Sequence, residues 1–115
     1  MTDSPTQQLP ELVVRDQVGV CGVRDDTRVL AEVAAAAAPP GRALDLGTGT
    51  GYVGLYLAQR GWEVDAVDVS PRAVDLTRAN AQANGVSMTC LLYTSLLHQK
   101  QPSAAIDGVC DQRLM

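Results

Sequence analysis

Residues 1–89 contain no lysine, no histidine and no isoleucine, although seven arginines are present. Without a histidine, no pair in that stretch reads as a nucleophile with its imidazole base. Cysteine is scarce as well. Cys21, Cys90 and Cys110 are odd in number and form no Cys-x-x-Cys, which argues against a disulfide framework and against zinc, so they read as free thiols and no metal is expected. No apolar run is long enough to cross a bilayer, and no basic start leads into an apolar stretch. Membrane insertion and secretion are therefore unsupported, and the cytoplasm is the expected location. Positive charge is also short: the net charge of -4 gives no chain-wide footprint for nucleic acid, although a local basic patch is compatible with it.

At 115 residues and 46% hydrophobic, the chain has room for one globular domain. Its most informative stretch is Arg42 to Gly51. There an apolar strand runs into Asp45 and then into three alternating glycines, Gly47, Gly49 and Gly51, separated by Thr48 and Thr50. A helical pattern follows at once. Glycine permits positive φ and close approach of a ligand to the backbone, and a turn of this kind at a helix start is expected to leave amides bare. An ordinary strand-to-helix turn needs one glycine, not three and a carboxylate. The spacing predicts a nucleotide-like or nucleoside-like cofactor.

A change of vocabulary divides the chain. Lys100, His98 and Ile106 are the sole residues of their types, and all lie after residue 89. Arg, Ala, Val and Gly have GC-rich codons, whereas Lys and Ile have AT-rich ones. Cys90-Leu91-Leu92-Tyr93-Thr94-Ser95 is moreover what a transposase mosaic-end string would encode. Residues 90–115 are expected to be a non-native fusion tail, to be left out of fold reasoning. The functional part is then 11–89, the cofactor-binding portion of a C-terminally truncated domain.

Before the glycine turn, residues 1–10 carry Pro5 and Pro10 and read as a disordered lead-in. Glu11 to Val23 alternates weakly, as a short strand or hairpin at a sheet edge would. Asp25-Asp26-Thr27 reads as an N-cap, followed by a helix through the alanines and stopped by Pro39-Pro40-Gly41. Ala43 to Leu46 is an unalternating parallel strand, expected to be covered on both faces. Tyr52 to Arg60 is a helix closed by Gly61, with Tyr52 and Tyr56 as packing residues. Glu63 to Asp68 is the next strand, ending in a second carboxylate; Asp65 reads as solvated, and Trp62 as buried or half-buried at its start. Ser70-Pro71 opens a helix that Asn84-Gly85 closes, and Val86 to Thr89 reads as an interrupted third strand. The order β-α-β-α-β predicts an α/β fold with a parallel sheet, right-handed crossovers and a ligand at the carboxyl ends of the strands.

Gly49-Thr50-Gly51-Tyr52-Val53-Gly54 satisfies Gly-x-Gly-x-x-Gly, and Asp68 follows at the distance of a ribose-binding acid. The register argues against a dinucleotide. Counted from Gly47, the first glycine after the strand, Tyr52 falls where the third glycine belongs, and Gly54 lies inside the helix. A pyrophosphate would also be repelled by Asp45, whereas an amino group and a sulfonium charge would be attracted.

Ala43 to Gly51 resembles motif I of the class I S-adenosylmethionine-dependent methyltransferases, and Val64 to Val69 resembles their second motif. The resemblance implies a Rossmann-like fold of which this chain is the N-terminal half, with S-adenosylmethionine as cofactor. It implies that Gly47, Thr48, Gly49, Thr50 and Gly51 wrap the methionine and ribose, that Asp45 lies near the amino group through water or backbone, and that Asp68 accepts both ribose hydroxyls. Residues 18–86 are similar to the release-factor glutamine methyltransferases and their amino-nitrogen relatives, which implies a protein glutamine acceptor first, and a nucleic-acid base or small molecule otherwise. In those relatives the helix equivalent to Asp26-Thr27 borders the cofactor, so both residues are possible second-tier contacts. The group's Asn-Pro-Pro-Tyr acceptor motif does not occur in this chain. The chain is thus expected to hold the donor and to be inactive alone. An NAD(P)-binding oxidoreductase fragment and a non-catalytic module of the same fold are the other readings.

Overall fold

The computed structural model describes residues 9–93 and the backbone of 105–107. Helix α1 spans Asp25–Ala37, strand β1 Arg42–Leu46, α2 Tyr52–Gln59, β2 Glu63–Asp68, α3 Pro71–Ala83, β3 Thr89–Leu92 and β4 Ala105–Asp107. The strands form one parallel sheet in the order β3-β2-β1-β4. Ala43 stands opposite Val64, Asp45 opposite Ala66, and Ala66 opposite Cys90.

That register places Ala43, Val64, Ala66 and Cys90 on one face, since alternate strand residues point the same way. The three helices described above pack there. Ala31 of α1 and Val53 and Leu57 of α2 bury against Ala43 and Val64, while Val74 of α3 buries against Ala66 and Cys90. This is what the right-handed rule requires, because both crossovers move along the sheet in the same direction. β1 is not flanked by described helices on both faces, yet Leu44 and Val67, on the opposite face, are also buried.

Local chemistry explains the element ends. α2 stops where Gly61 takes φ +92°, its amide donating to the Ala58 carbonyl and that of Trp62 to Leu57. Ser70 Oγ accepts from the Ala73 amide at 3.3 Å, and Pro71 follows at the first helical position. α1 starts one residue earlier than the Asp25-Asp26-Thr27 cap reading: Arg24 is the N-cap, its amide donating to Thr27 Oγ1 at 3.2 Å, and Asp26 Oδ1 accepts from the Thr27 amide at 3.0 Å. Asp26 and Thr27 are thereby occupied in starting the helix.

Three expectations are corrected. The third strand is Thr89–Leu92, not Val86 to Thr89, because the Val86 amide is spent on the Ala81 carbonyl at the end of α3, which delays pairing. Glu11 to Val23 forms no strand. Leu12 and Val14 face inward and Val13 and Arg15 outward, so the alternation is real, but the partner is α3. Cys90 is a buried free thiol, whereas Cys21 is disulfide-bonded; Cys110 lies outside the described residues, as do residues 1–8 of the expected lead-in and most of the expected tail. Among the described residues no helix is long and apolar enough to cross a membrane. Tyr52, Tyr56 and Trp62 pack against the α1/α2 core as expected, with the Arg60 guanidinium 3.4 Å from the centre of the Tyr56 ring.

Candidate functional site

The glycine turn is wired into the end of β2. The Gly47 and Thr48 amides both donate to the Val67 carbonyl, at 2.8 and 3.0 Å, the Gly49 amide donates to Asp68 Oδ2 at 3.1 Å, and the Gly51 amide donates to the Thr48 carbonyl at 2.8 Å. These amides are therefore not bare, contrary to the expectation from an isolated strand-turn-helix. The turn curls across the end of β2, whose Val67 carbonyl and Asp68 carboxylate take the Gly47, Thr48 and Gly49 N–H groups, so those amides are not offered to a pyrophosphate.

The glycines divide by task. Gly47 is exposed at φ +70°, and a Cβ there would meet nothing within 4 Å, which leaves room for a ligand against the backbone. At Gly51, φ +92°, a Cβ would stand 2.7 Å from Thr77 Cγ2, and at Gly54 2.9 Å from Met88 Cε. Gly51 and Gly54 serve close packing of α2. Gly49 is left-handed too, at φ +57°.

Asp45 is 1% exposed and lies beneath the turn. Its Oδ2 accepts from Thr48 Oγ1 at 2.9 Å and from the Gly54 amide at 3.2 Å, thus capping α2, whose own N-cap, Gly51, has no side chain. Asp45 Oδ1 is buried without a partner. Burial is the main cause that pushes this carboxyl up to about 7; the Thr48 and Gly54 hydrogen bonds oppose the shift and the charge of Asp68 adds to it. Asp68, at the end of β2, accepts from the Ser70 amide at Oδ1, 2.9 Å, and from Gly49 at Oδ2, so one carboxylate joins the turns after β1 and β2. Each oxygen retains acceptor capacity. Asp65 is half-buried and lies near Arg42, 3.7 Å away.

Sequence reasoning missed two residues. Thr77 Oγ1 donates to the Gly49 carbonyl at 2.9 Å, and Asn80 Nδ2 donates to the Thr50 carbonyl at 2.8 Å; both side chains are fully buried. The available signal was a pair of polar residues three apart among the inward-facing Ala73, Val74, Leu76 and Ala81 of α3. Two acidic side chains, an open glycine and a turn whose Gly47, Thr48, Gly49 and Gly51 amides are spent make a site suited to hydroxyl groups and positive charge.

The methyltransferase small domain family matches residues 15–110. The chain belongs to this family. It is 39% identical over 108 residues to the release factor glutamine methyltransferase of Escherichia coli, covering 71% of this chain and 39% of that protein. To the ribosomal RNA small subunit methyltransferase C of Chromohalobacter salexigens it is 44% identical over 82 residues, covering 66% of this chain and 25% of that one. The chain thus spans well under half the length of these relatives. The Pyrococcus abyssi tRNA (uracil-54, C5)-methyltransferase, solved in complex with S-adenosyl-L-homocysteine, superposes with a TM-score of 0.53 at 27% identity, over 58% of this chain and 17% of that one. The family match and this fold agree with the parallel α/β architecture described above.

Proposed function

We propose that the chain is the donor-binding part of an S-adenosylmethionine-dependent methyltransferase acting on an amide or amino nitrogen. A protein glutamine is the preferred acceptor, with a nucleic-acid base or small molecule as the alternatives. The observation that carries the proposal is the turn itself: Gly47 open, the Gly47, Thr48, Gly49 and Gly51 amides spent, Asp68 at the end of β2 with acceptor capacity to spare, and Asp45 beneath the turn, its carboxyl pushed up to about 7. When bound, the cofactor supplies an electrophilic methyl group on a sulfonium. Asp68 would hold the ribose hydroxyls on its remaining acceptor sites, the backbone from Gly47 to Gly51 would line the methionine and ribose, and Asp45 would act from below on a cationic ligand without touching it. Placement and orientation are the chain's contribution to rate. Its cytoplasmic location belongs to the same reading.

Titration calorimetry of the chain with S-adenosylmethionine, S-adenosylhomocysteine and NAD tests this. Micromolar binding of the first two and none of NAD is expected. Preference for NAD would favour the oxidoreductase, and binding of none the non-catalytic module. The foreign origin of residues 90–115 is part of the proposal, and because the family match runs to residue 110 it needs its own test. A read of the source DNA across the codons for Val86 to Cys90 should leave the mosaic-end string; finding that string uninterrupted in native DNA returns the tail to the domain.

A further inference from the structure

The Asn80 carboxamide bonds two separate partners. Its Oδ1 accepts from the Arg15 amide at 3.0 Å, and its Nδ2 donates both to the Arg15 carbonyl at 3.2 Å and to the Thr50 carbonyl at 2.8 Å. One turn further on, Asn84 at the C-cap of α3 repeats the grip: Oδ1 accepts from the Val13 amide at 2.9 Å, and Nδ2 donates to the Val13 carbonyl at 2.8 Å as well as to the Asn80 carbonyl at 2.7 Å. The two spacings match. Four helical residues rise about 6 Å, and two extended residues span about 6.6 Å, so side chains at i and i+4 of a helix can grip alternate residues of an extended chain. Each grip takes both backbone groups of one residue, as a strand partner would, and this explains how 11–16 is held without a sheet edge. Val20 then anchors the segment, buried against Ala73 and Leu76.

We propose that Asn80 is a positioning residue for the donor turn, and that the seating of residues 13–15 on Asn80 and Asn84 sets the affinity of the turn for its ligand. The Nδ2 hydrogens of Asn80 have fixed relative directions, so holding Arg15 aims the second hydrogen at Thr50. Thr77 adds the neighbouring hold on Gly49. Release of the segment frees the carboxamide to rotate and leaves the carbonyl of Thr50, a buried residue, without its donor. The N-terminal segment and the donor turn are therefore one cooperative unit, although they do not share a bond.

The inference rests on the donor reading only for the ligand used to measure it. The experiment compares the wild-type chain with Arg15→Pro, which removes one N–H from the grip, with Asn84→Ala, and with Asn80→Asp, which removes both amide donors. Val74→Ala, on the same helix but away from the turn, controls for lost stability. S-adenosylhomocysteine affinity is read by calorimetry, and protection of the Gly49 and Gly51 amides by hydrogen exchange. Arg15→Pro and Asn84→Ala are expected to weaken binding about fivefold and Asn80→Asp about tenfold or more, on the scale of one or two hydrogen bonds. Protection of Gly49 and Gly51 should fall in all three. Val74→Ala should lower the melting temperature and reduce protection evenly across the domain, without the selective loss at Gly49 and Gly51. Unchanged affinity and protection in both Arg15→Pro and Asn84→Ala would overturn the coupling. If the wild type binds no S-adenosylhomocysteine, the donor reading fails, and the exchange comparison still decides the coupling.

Discussion

Among the described residues, Asp45 carries the sharpest pH dependence that a single group can be assigned. Its folded pKa is raised from 3.8 to about 7, chiefly by burial. Between those values the native state holds a proton that the unfolded chain has lost. Stability from this group is therefore complete below about pH 4, declines as pH rises towards 7, and is level above it. In Asp45→Asn the side-chain oxygen still accepts from Thr48 and Gly54, and there is no carboxyl to titrate. Urea unfolding of the two proteins from pH 4.5 to 7.5 should show the stability difference moving in favour of the Asp45→Asn variant as pH rises, because only the wild type loses this contribution. Parallel curves would show that Asp45 ionises at its ordinary value. The same residue shows what sequence can and cannot carry. An acid before alternating glycines was legible because the spacing is local. The destination of its lone pairs was not, since Gly54 reaches it only once α2 has folded back over β1.

At the scale of elements, legibility followed the range of the interactions that make each boundary. β2 was legible as Glu63 to Asp68, and α3 as opening at Ser70-Pro71 and closing at Asn84-Gly85, because caps and glycine stops are decided within a few residues. β3 was displaced to Thr89–Leu92 for a local reason of another kind: α3 closes through the Val86 amide, which composition does not reveal. The segment 11–23 was misread because alternation reports an extended chain with one face buried and says nothing about what buries it. A strand edge and a helix bearing Asn80 and Asn84 leave the same pattern in residues 12–15. Thr77 and Asn80 escaped for the converse reason, since a polar residue on a helix reads as solvated until the helix is docked against a turn whose carbonyls need donors.

For the whole molecule, the arrangement of layers decides how stability and binding are linked. The described helices all lie on one face of the sheet, and a sheet with open edges is costly to keep solvated. The turn, Asp68 and the β2 end are held by contacts that cross from β1 to α3, so the site is ordered only when most of the domain is. A chain of this size is expected to melt broadly on its own. A ligand that binds only the folded state then acts as a staple: at a hundred times its dissociation constant it adds about 2.7 kcal/mol, and for a domain of roughly this size that raises the midpoint by on the order of 10 °C. S-adenosylhomocysteine should produce such a rise and sharpen the transition, whereas NAD at the same concentration should leave it in place. A sharp melt without ligand would show that the fold does not depend on its site, and no shift with S-adenosylhomocysteine would remove the donor from the turn.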